Sequence, residues 1–90
     1  MKSQTLITDI ENKKDKNSQD YWIIRTKLNE QRKDYFAFSG DYNLAPQTAS
    51  LLANYPHKLV NSICLLTIEQ KGEKEKVIAI ELTKMKSPRN

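Results

Sequence analysis

Hydrophobic and polar residues alternate along much of the chain, and the alternation is clearest between Tyr21 and Leu28. The even positions of this segment hold the apolar or β-branched residues Trp22, Ile24, Thr26 and Leu28. Its odd positions hold Tyr21, Ile23, Arg25 and Lys27. A period of two is typical of a β-strand that buries one face. The segment is therefore predicted to be a strand with its even face inward and its odd face outward.

Two further strands are predicted on either side of this segment. Thr5–Ile10 is short and rich in β-branched residues, and the polar stretch Asn12–Asp20 after it is predicted to be a loop. Tyr35–Ser39 is predicted to be a third strand, joined to the second by a six-residue polar connection as an antiparallel hairpin. Small barrels fill their interiors with large side chains, so Phe36 and Phe38 are predicted to point inward.

The second half of the chain predicts one helix and two more strands. Pro46 suits the first turn of a helix, and hydrophobic residues at helical spacing continue to about Asn54. Leu59–Gln70 is a long apolar run whose β-branched residues favour a buried strand, with a buried helix as the alternative. Charged residues around Gly72 predict a turn, and Val77–Leu82 is predicted to complete a second hairpin.

The predicted order is three strands, one helix and two strands. This order predicts an all-β fold, a small five-stranded Greek-key barrel with one short helix between the third and fourth strands. Closure into a barrel suits a small all-β chain because it removes exposed strand edges. Ninety residues suffice for one domain, which is expected to span residues 1–83. Residues 84–90 are expected to form a basic, flexible C-terminal tail.

The overall composition narrows the class of protein. Cys64 and His57 are the only cysteine and histidine, so an internal disulfide and a Cys/His zinc site are excluded. No stretch approaches the roughly 20 apolar residues of a membrane span, and residues 1–10 do not resemble a secretory signal. These observations predict a cytoplasmic, cofactor-free protein with no membrane partner.

Catalytic chemistry has little support in the sequence. His57 has no acidic residue or nucleophile pattern beside it, and Cys64 lies inside the most apolar run, where a thiol is normally inert. No glycine-rich phosphate loop or hydrolase motif is present. Asp9 and Glu11 lie on the first strand, but exposed strand ends routinely carry acidic residues, so this pair does not indicate a metal site. The protein is predicted not to be an enzyme, and to have neither a metal site nor a small-molecule substrate.

The net charge of +4 invites a nucleic-acid partner, but its distribution weakens that inference. Residues 84–90 hold three of the 15 basic residues and none of the 11 acidic residues. Residues 1–83 therefore carry 12 basic against 11 acidic residues, a net charge of +1. A binding surface on the barrel would need cations segregated onto one face, which net charge alone does not reveal.

Two segments resemble a known family in residue identity as well as in element order. The second and third strands of OB-fold nucleic-acid-binding proteins are similar to Asp20-Tyr21-Trp22-Ile23-Ile24-Arg25 and Asp34-Tyr35-Phe36-Ala37-Phe38-Ser39-Gly40. In element order the resemblance covers nearly the whole chain. It implies binding on the face of the second and third strands, flanked by the loops at Asn12–Asp20 and Gln70–Lys76.

Such a face binds single strands through aromatic rings stacked on bases and cations placed along the backbone. Six of the seven aromatic residues lie between Tyr21 and Tyr42. Tyr35 is expected to join the outward face if Phe36 and Phe38 point inward. The candidate nucleic-acid-binding residues are Tyr21, Arg25, Lys27, Arg32, Lys33, Tyr35, Lys14 and Lys71.

Two functions from different classes follow. The leading interpretation is binding of single-stranded DNA or RNA, with DNA slightly favoured. The alternative is a protein–protein interaction or accessory scaffold module, whose partner is another protein or a second copy of the chain. A small barrel can bind a partner through a strand edge or an apolar patch, and lysine-rich loops often only improve solubility.

Overall fold

The computed structural model describes residues 1–83, except for the side chain of Lys71. The predicted tail at 84–90 and the predicted contact from the Lys71 side chain lie outside the described residues. Five strands form a closed barrel: β1 (Lys2–Lys14), β2 (Asp20–Leu28), β3 (Gln31–Phe38), β4 (Ser62–Lys71) and β5 (Lys74–Leu82). One α-helix, α1 (Pro46–Asn54), and a short 3-10 turn at Pro56–Lys58 connect β3 to β4.

The predicted all-β barrel with one short helix between the third and fourth strands is confirmed. Around the barrel the strands follow the order β1-β2-β3-β5-β4. All neighbours are antiparallel except β3 and β5, which run parallel and pair at one position, Phe36 with Lys76. The alternative of a buried helix within Leu59–Gln70 is wrong, because β4 occupies Ser62–Lys71.

β1 is longer than predicted because it pairs with two neighbours. Its first half pairs with β4 and its second half pairs with β2 as far as Lys14. The loop predicted at Asn12–Asp20 is therefore shortened to residues 15–19. A bulge between Ile7 and Asp9 interrupts the alternation. As a result Asp9 lies on the outer face with its cross-strand partner Arg25, although Ile7 faces the core.

The β2–β3 hairpin turns on two residues, not on the six predicted. Asn29 and Glu30 have φ values of 52° and 70°, as two-residue type I′ hairpin turns require. This turn sets a register in which Trp22 is opposite Ala37. Leu28, at the end of the hairpin, is 47% exposed, so its predicted inward position is wrong.

The faces of β3 are the reverse of the prediction. Tyr35 and Ala37 are buried, whereas Phe36 and Phe38 are half-buried on the outer face. The reason is the register, since the inward residue Trp22 pairs with Ala37 and the outward residue Tyr21 pairs with Phe38. The inward even face predicted for β2 is confirmed at Trp22, Ile24 and Thr26.

The helix α1 is attached to β5 by backbone-directed hydrogen bonds. The Ile80 N–H donates to Thr48 Oγ1 at 3.0 Å, and the Ala45 N–H donates to Ile78 O at 2.8 Å. Leu52 and Leu59 complete the packing and are 1% and 0% exposed. The core combines these residues with the inward side chains of all five strands. Pro46 occupies the first helical turn, as predicted.

Neither helical segment in residues 1–83 has the length and apolar character needed to cross a membrane.

Candidate nucleic-acid interface

The outer faces of β2 and β3 carry three neighbouring aromatic rings, Tyr21, Phe36 and Phe38, which together form the aromatic patch. The rings of Phe36 and Phe38 are stacked, with centroids 6.1 Å apart and planes 18° from parallel. The Tyr21 ring centroid is 5.8 Å from that of Phe38 and 6.5 Å from that of Phe36. All three side chains are half-buried, so part of each ring remains open to a ligand.

Strand pairing brings these rings together. In the β2–β3 ladder Tyr21 is opposite Phe38, and Ile23 is opposite Phe36. Side chains directly opposite each other on one face of an antiparallel pair have Cβ atoms about 4.5–5.5 Å apart. The ladder therefore presents the aromatic patch in a fixed arrangement, and no ligand is needed to assemble it.

A shallow cleft of about 270 Å³ lies over the aromatic patch and is also lined by Asp15 and Lys74. Asp15 belongs to the loop after β1, and its Oδ1 accepts hydrogen bonds from the N–H groups of Asn17 and Gln19 at 2.8 and 2.9 Å. Lys74 is the first residue of β5. The cleft is thus bordered by the β1–β2 loop and the β4–β5 hairpin, the two connections expected to flank this face.

Arg25 lies on the same outer face of β2, as predicted, but it is paired with acids. Its guanidinium is 3.2 Å from Asp9 Oδ2 and 2.9 Å from Glu11 Oε1, and both acids belong to β1. The hydrogen bond between Arg25 and Glu11 lowers the pKa of Glu11 and raises the pKa of Arg25. On the other side, Asp34 is the cross-strand neighbour of Arg25 on β3. Arg25 is therefore largely neutralised by its surroundings.

Two more of the candidate cations are also engaged by acids. Lys14 Nζ is 2.9 Å from Asp20 Oδ1, between exposed side chains. Lys33 Nζ is 2.7 Å from Glu75 Oε1, and this hydrogen bond raises the pKa of Lys33. These ion pairs reduce the positive potential that the candidate cations would give to the outer face of β2 and β3.

Lys27 and Arg32 remain exposed at the end of the outer face that lies away from the aromatic patch. The two residues are opposite each other in the β2–β3 ladder. Within residues 1–83, neither forms an ion pair. The predicted outward position of Lys27 is confirmed, but six ladder positions separate Lys27 and Arg32 from the row of Tyr21 and Phe38.

Tyr35 does not lie on the outer face, and that prediction is wrong. Its side chain is 6% exposed and points into the barrel, because the hairpin register gives the outer positions of β3 to Phe36 and Phe38. The ammonium group of Lys33 lies 5.4 Å from the centroid of the Tyr35 ring. Tyr35 therefore belongs to the barrel interior and Lys33 to its exposed surface, and neither joins the aromatic patch.

The hydrophobic pattern did not identify Phe36 and Phe38 as candidate site residues. Both alternating faces of this strand are hydrophobic, so the pattern alone does not choose between them. The signal that could have decided is the turn: placing it at Asn29 and Glu30 pairs Trp22 with Ala37 and turns both phenylalanines outward. Lys74 belongs to the predicted loop Gln70–Lys76 but was not among the candidate binding residues, whereas it lines the cleft over the aromatic patch.

The described residues give no support to metal or thiol chemistry. Across residues 1–83, no group of three or more His, Cys, Asp or Glu side chains could hold a metal ion. Asp9 and Glu11 are held by Arg25. Burial raises the pKa of Cys64 to about 11, so its thiol is not ionised near neutral pH.

No family model, no curated protein and no solved structure matches the chain.

Proposed function

We propose that the protein binds single-stranded nucleic acid on the outer face of β2 and β3, with DNA slightly favoured over RNA. The observation that carries this proposal is the aromatic patch, in which three half-buried rings lie side by side on a solvent-facing sheet. Such rings accept any base because every base has a π-face, and stacking contributes about 1–3 kcal/mol per base.

The architecture around the aromatic patch supports the same function. A five-stranded closed barrel with the order β1-β2-β3-β5-β4 and a helix between β3 and β4 resembles the OB-fold. OB-fold proteins bind oligonucleotides on the face of their second and third strands, beside the loops that connect strands 1 and 2 and strands 4 and 5. Here those two connections contribute Asp15 and Lys74 to the cleft.

The proposed activity is binding without catalysis, in the cytoplasm. Lys74 supplies a cation within the cleft that can contact a phosphate. Cys64 is buried and protonated near neutral pH, and exposed His57 contacts the ring of Tyr55. Neither Cys64 nor His57 lines the cleft over the aromatic patch.

A second candidate, a protein-interaction module, is favoured by one other observation. Leu6 on β1 and Ile63 on β4 are cross-strand neighbours on the outer surface, away from the aromatic patch. Ile63 is 39% exposed, and Leu65 lies two residues further along the same face of β4. Apolar strips of this kind can bury against another protein. An Ile63→Lys variant with an unchanged sedimentation coefficient and an unchanged set of captured partners would count against this candidate.

The test is a titration with fluorescently labelled single-stranded DNA, single-stranded RNA and duplex DNA at about 50 and 200 mM salt. We expect binding to single strands and much weaker binding to the duplex, because paired bases do not expose their π-faces. Equal affinity for duplex and single strand, or no binding at the lower salt concentration, would overturn the proposal.

A pair of aromatic substitutions assigns the binding to this surface. Phe38→Ala removes one ring of the aromatic patch, and we expect affinity to fall about 5- to 100-fold. Tyr42→Ala removes a ring that is fully exposed outside the patch, so it serves as the matched control with unchanged affinity. Circular dichroism would verify that both variants remain folded. If Phe38→Ala binds as the wild type does, the aromatic patch is not the site.

A further inference from the structure

The outer face of β1, β2 and β3 is divided into two halves of different chemistry. The upper half holds the aromatic patch together with Ile23. The lower half begins at the row formed by Asp9 on β1, Arg25 on β2 and Asp34 on β3, which are cross-strand neighbours. A strand of nucleic acid that follows β2 must therefore cross from an apolar surface to a charged one.

The charged half is acidic at the point where it meets the aromatic patch. Asp9, Glu11 and Asp34, together called the acidic group, surround the single guanidinium of Arg25. The distances from Arg25 to Asp9 and Glu11 are 3.2 and 2.9 Å. The three carboxylates outnumber the two cations paired with them, Arg25 and Lys13, and leave a net negative charge that repels phosphate. A phosphate that contacts Arg25 must compete with these pairs.

Other cations near the aromatic patch are engaged in the same way. Lys13 Nζ is 3.6 Å from Glu11 Oε2, and Lys76 Nζ is 2.9 Å from Asp41 Oδ2. Lys74 lines the cleft and makes no ion pair with any described residue. The cleft therefore has its available positive charge on the side of β5, away from Asp9 and Glu11 on β1.

The size of the aromatic patch limits how many bases it can stack. Its three ring centroids are separated by 5.8, 6.1 and 6.5 Å. Each exposed ring can stack with one base, so the three rings of the patch accept at most about three bases. Further bases along β2 would meet the acidic group in place of a ring.

We infer that this face takes only a short single strand, of about two to three nucleotides. Its bases lie on the aromatic patch, its phosphates point toward Lys74, and the acidic group excludes the rest of the strand from Arg25. The inference rests on the proposed function and adds its length limit and strand path. It also implies a shallow salt dependence for the wild-type protein, since few phosphates are neutralised.

The test compares oligothymidylates of about two to ten nucleotides on the wild-type protein and on two double variants. Asp9→Asn/Glu11→Gln removes two carboxylates that hold Arg25 and Lys13. Glu30→Gln/Glu81→Gln removes two exposed carboxylates elsewhere and gives the same net charge, so it is the matched control. Each variant is measured at about 50 and 200 mM salt.

For the wild-type protein and the control, affinity should rise up to about three nucleotides and then level off. In Asp9→Asn/Glu11→Gln the freed cations should extend the rise to longer strands and strengthen binding of the longest strand roughly 5- to 10-fold at low salt. The salt slope for that strand should steepen by about 1.4, which corresponds to two added phosphate contacts on a single strand. The shortest strand should bind as it does to the wild type.

The outcomes separate this inference from the proposed function. If the wild-type protein binds but its affinity keeps rising with length, the length limit is overturned and the proposed function stands. If both double variants gain equally at every length, net charge and not the acidic group controls binding, which also overturns the inference. If the wild-type protein binds no oligonucleotide, the proposed function fails and the inference fails with it.

Discussion

Cys64 illustrates how burial controls chemistry at the scale of one residue. Its side chain is completely buried, and burial raises the pKa of the thiol from 9.0 to about 11. A thiol with this pKa carries about a hundredfold less thiolate near neutral pH. We expect iodoacetamide to alkylate Cys64 at least about a hundredfold more slowly in the folded protein than in urea, measured by mass spectrometry. Similar rates in both conditions would contradict the burial of this side chain.

The inward or outward orientation of individual β2 residues could be predicted from the sequence, because it depends on the alternation within this strand alone. The period of two placed Trp22 inward and Arg25 outward without reference to any other segment. The partners of Arg25 could not be predicted in the same way. They depend on the bulge in β1, which shifts the register by one residue and brings Asp9 and Glu11 to the outer face. A bulge leaves little mark in a short sequence pattern.

At the scale of the element, the β2–β3 turn carries an avoidable strain. Glu30 has a φ of 70°, a left-handed conformation that costs a residue with a Cβ about 1–2 kcal/mol. Asn-Gly is the preferred pair for such a turn. We expect Glu30→Gly to raise the free energy of unfolding by about 0.5–1 kcal/mol, measured by urea denaturation.

The β4–β5 hairpin offers the control for this substitution. Its turn already has a glycine, Gly72, at the position with a φ of 64°. Glu73 beside it does not have a positive φ, so Glu73→Gly should lower the free energy of unfolding, because glycine gains more freedom in the unfolded chain. A stabilisation of similar size in both variants would mean that backbone strain at Glu30 is not its cause.

The existence of the strands and the helix could be predicted from the sequence, whereas the orientation of β3 could not. The existence of all five strands and of α1 follows from runs of hydrophobic residues bounded by polar ones, and these local signals are strong. Which face of β3 points inward depends on how β3 pairs with β2. The pattern does not decide it, because Tyr35 and Ala37 on one face are as hydrophobic as Phe36 and Phe38 on the other. Only the register with β2 distinguishes the two faces, and the sequence did not reveal the two-residue turn that sets it.

At the scale of the whole molecule, the barrel closes at its weakest ladder. β3 and β5 pair at a single position, Phe36 with Lys76. Side-chain ion pairs reinforce this contact: Lys76 Nζ lies 2.9 Å from Asp41 Oδ2 and 3.6 Å from Glu69 Oε1, and its side chain is only 12% exposed. The Asn43 side-chain amide donates to both Glu69 carboxylate oxygens at 3.2 and 3.1 Å. Charged side chains thus add contacts at the place where the barrel has the fewest paired backbone positions.

This arrangement predicts a pH dependence of stability. The hydrogen bond to Asp41 raises the pKa of Lys76 above its ordinary value of 10.5. A raised lysine pKa stabilises the fold fully below 10.5, and that contribution is lost as the pH rises through the folded-state value. We expect Lys76→Met to be less stable than the wild type at pH 8, with the difference shrinking above pH 10.5. Urea denaturation at each pH measures the free energy of unfolding of the two proteins.

Comparison with Lys76→Met isolates this residue, because every other residue is the same in both proteins. A difference in unfolding free energy that stays constant up to strongly alkaline pH would contradict an ionic role for Lys76. The element order alone predicted the barrel but not this closure. Ion pairs between residues as distant in the chain as Asp41 and Lys76 become visible only when the strands have their neighbours.

The ion pairs of Arg25 also have a consequence for how this face could change over generations. Arginine keeps its charge at any physiological pH, so each loss of Asp9 or Glu11 removes one of the acids that neutralise a permanent cation. A glutamate codon becomes a glutamine or lysine codon by one base change. The barrel therefore stands a single point mutation away from a more positive surface, and this step alters neither the core nor the strand register. Selection for a longer ligand or for tighter binding would therefore need few substitutions and no new residue on β2.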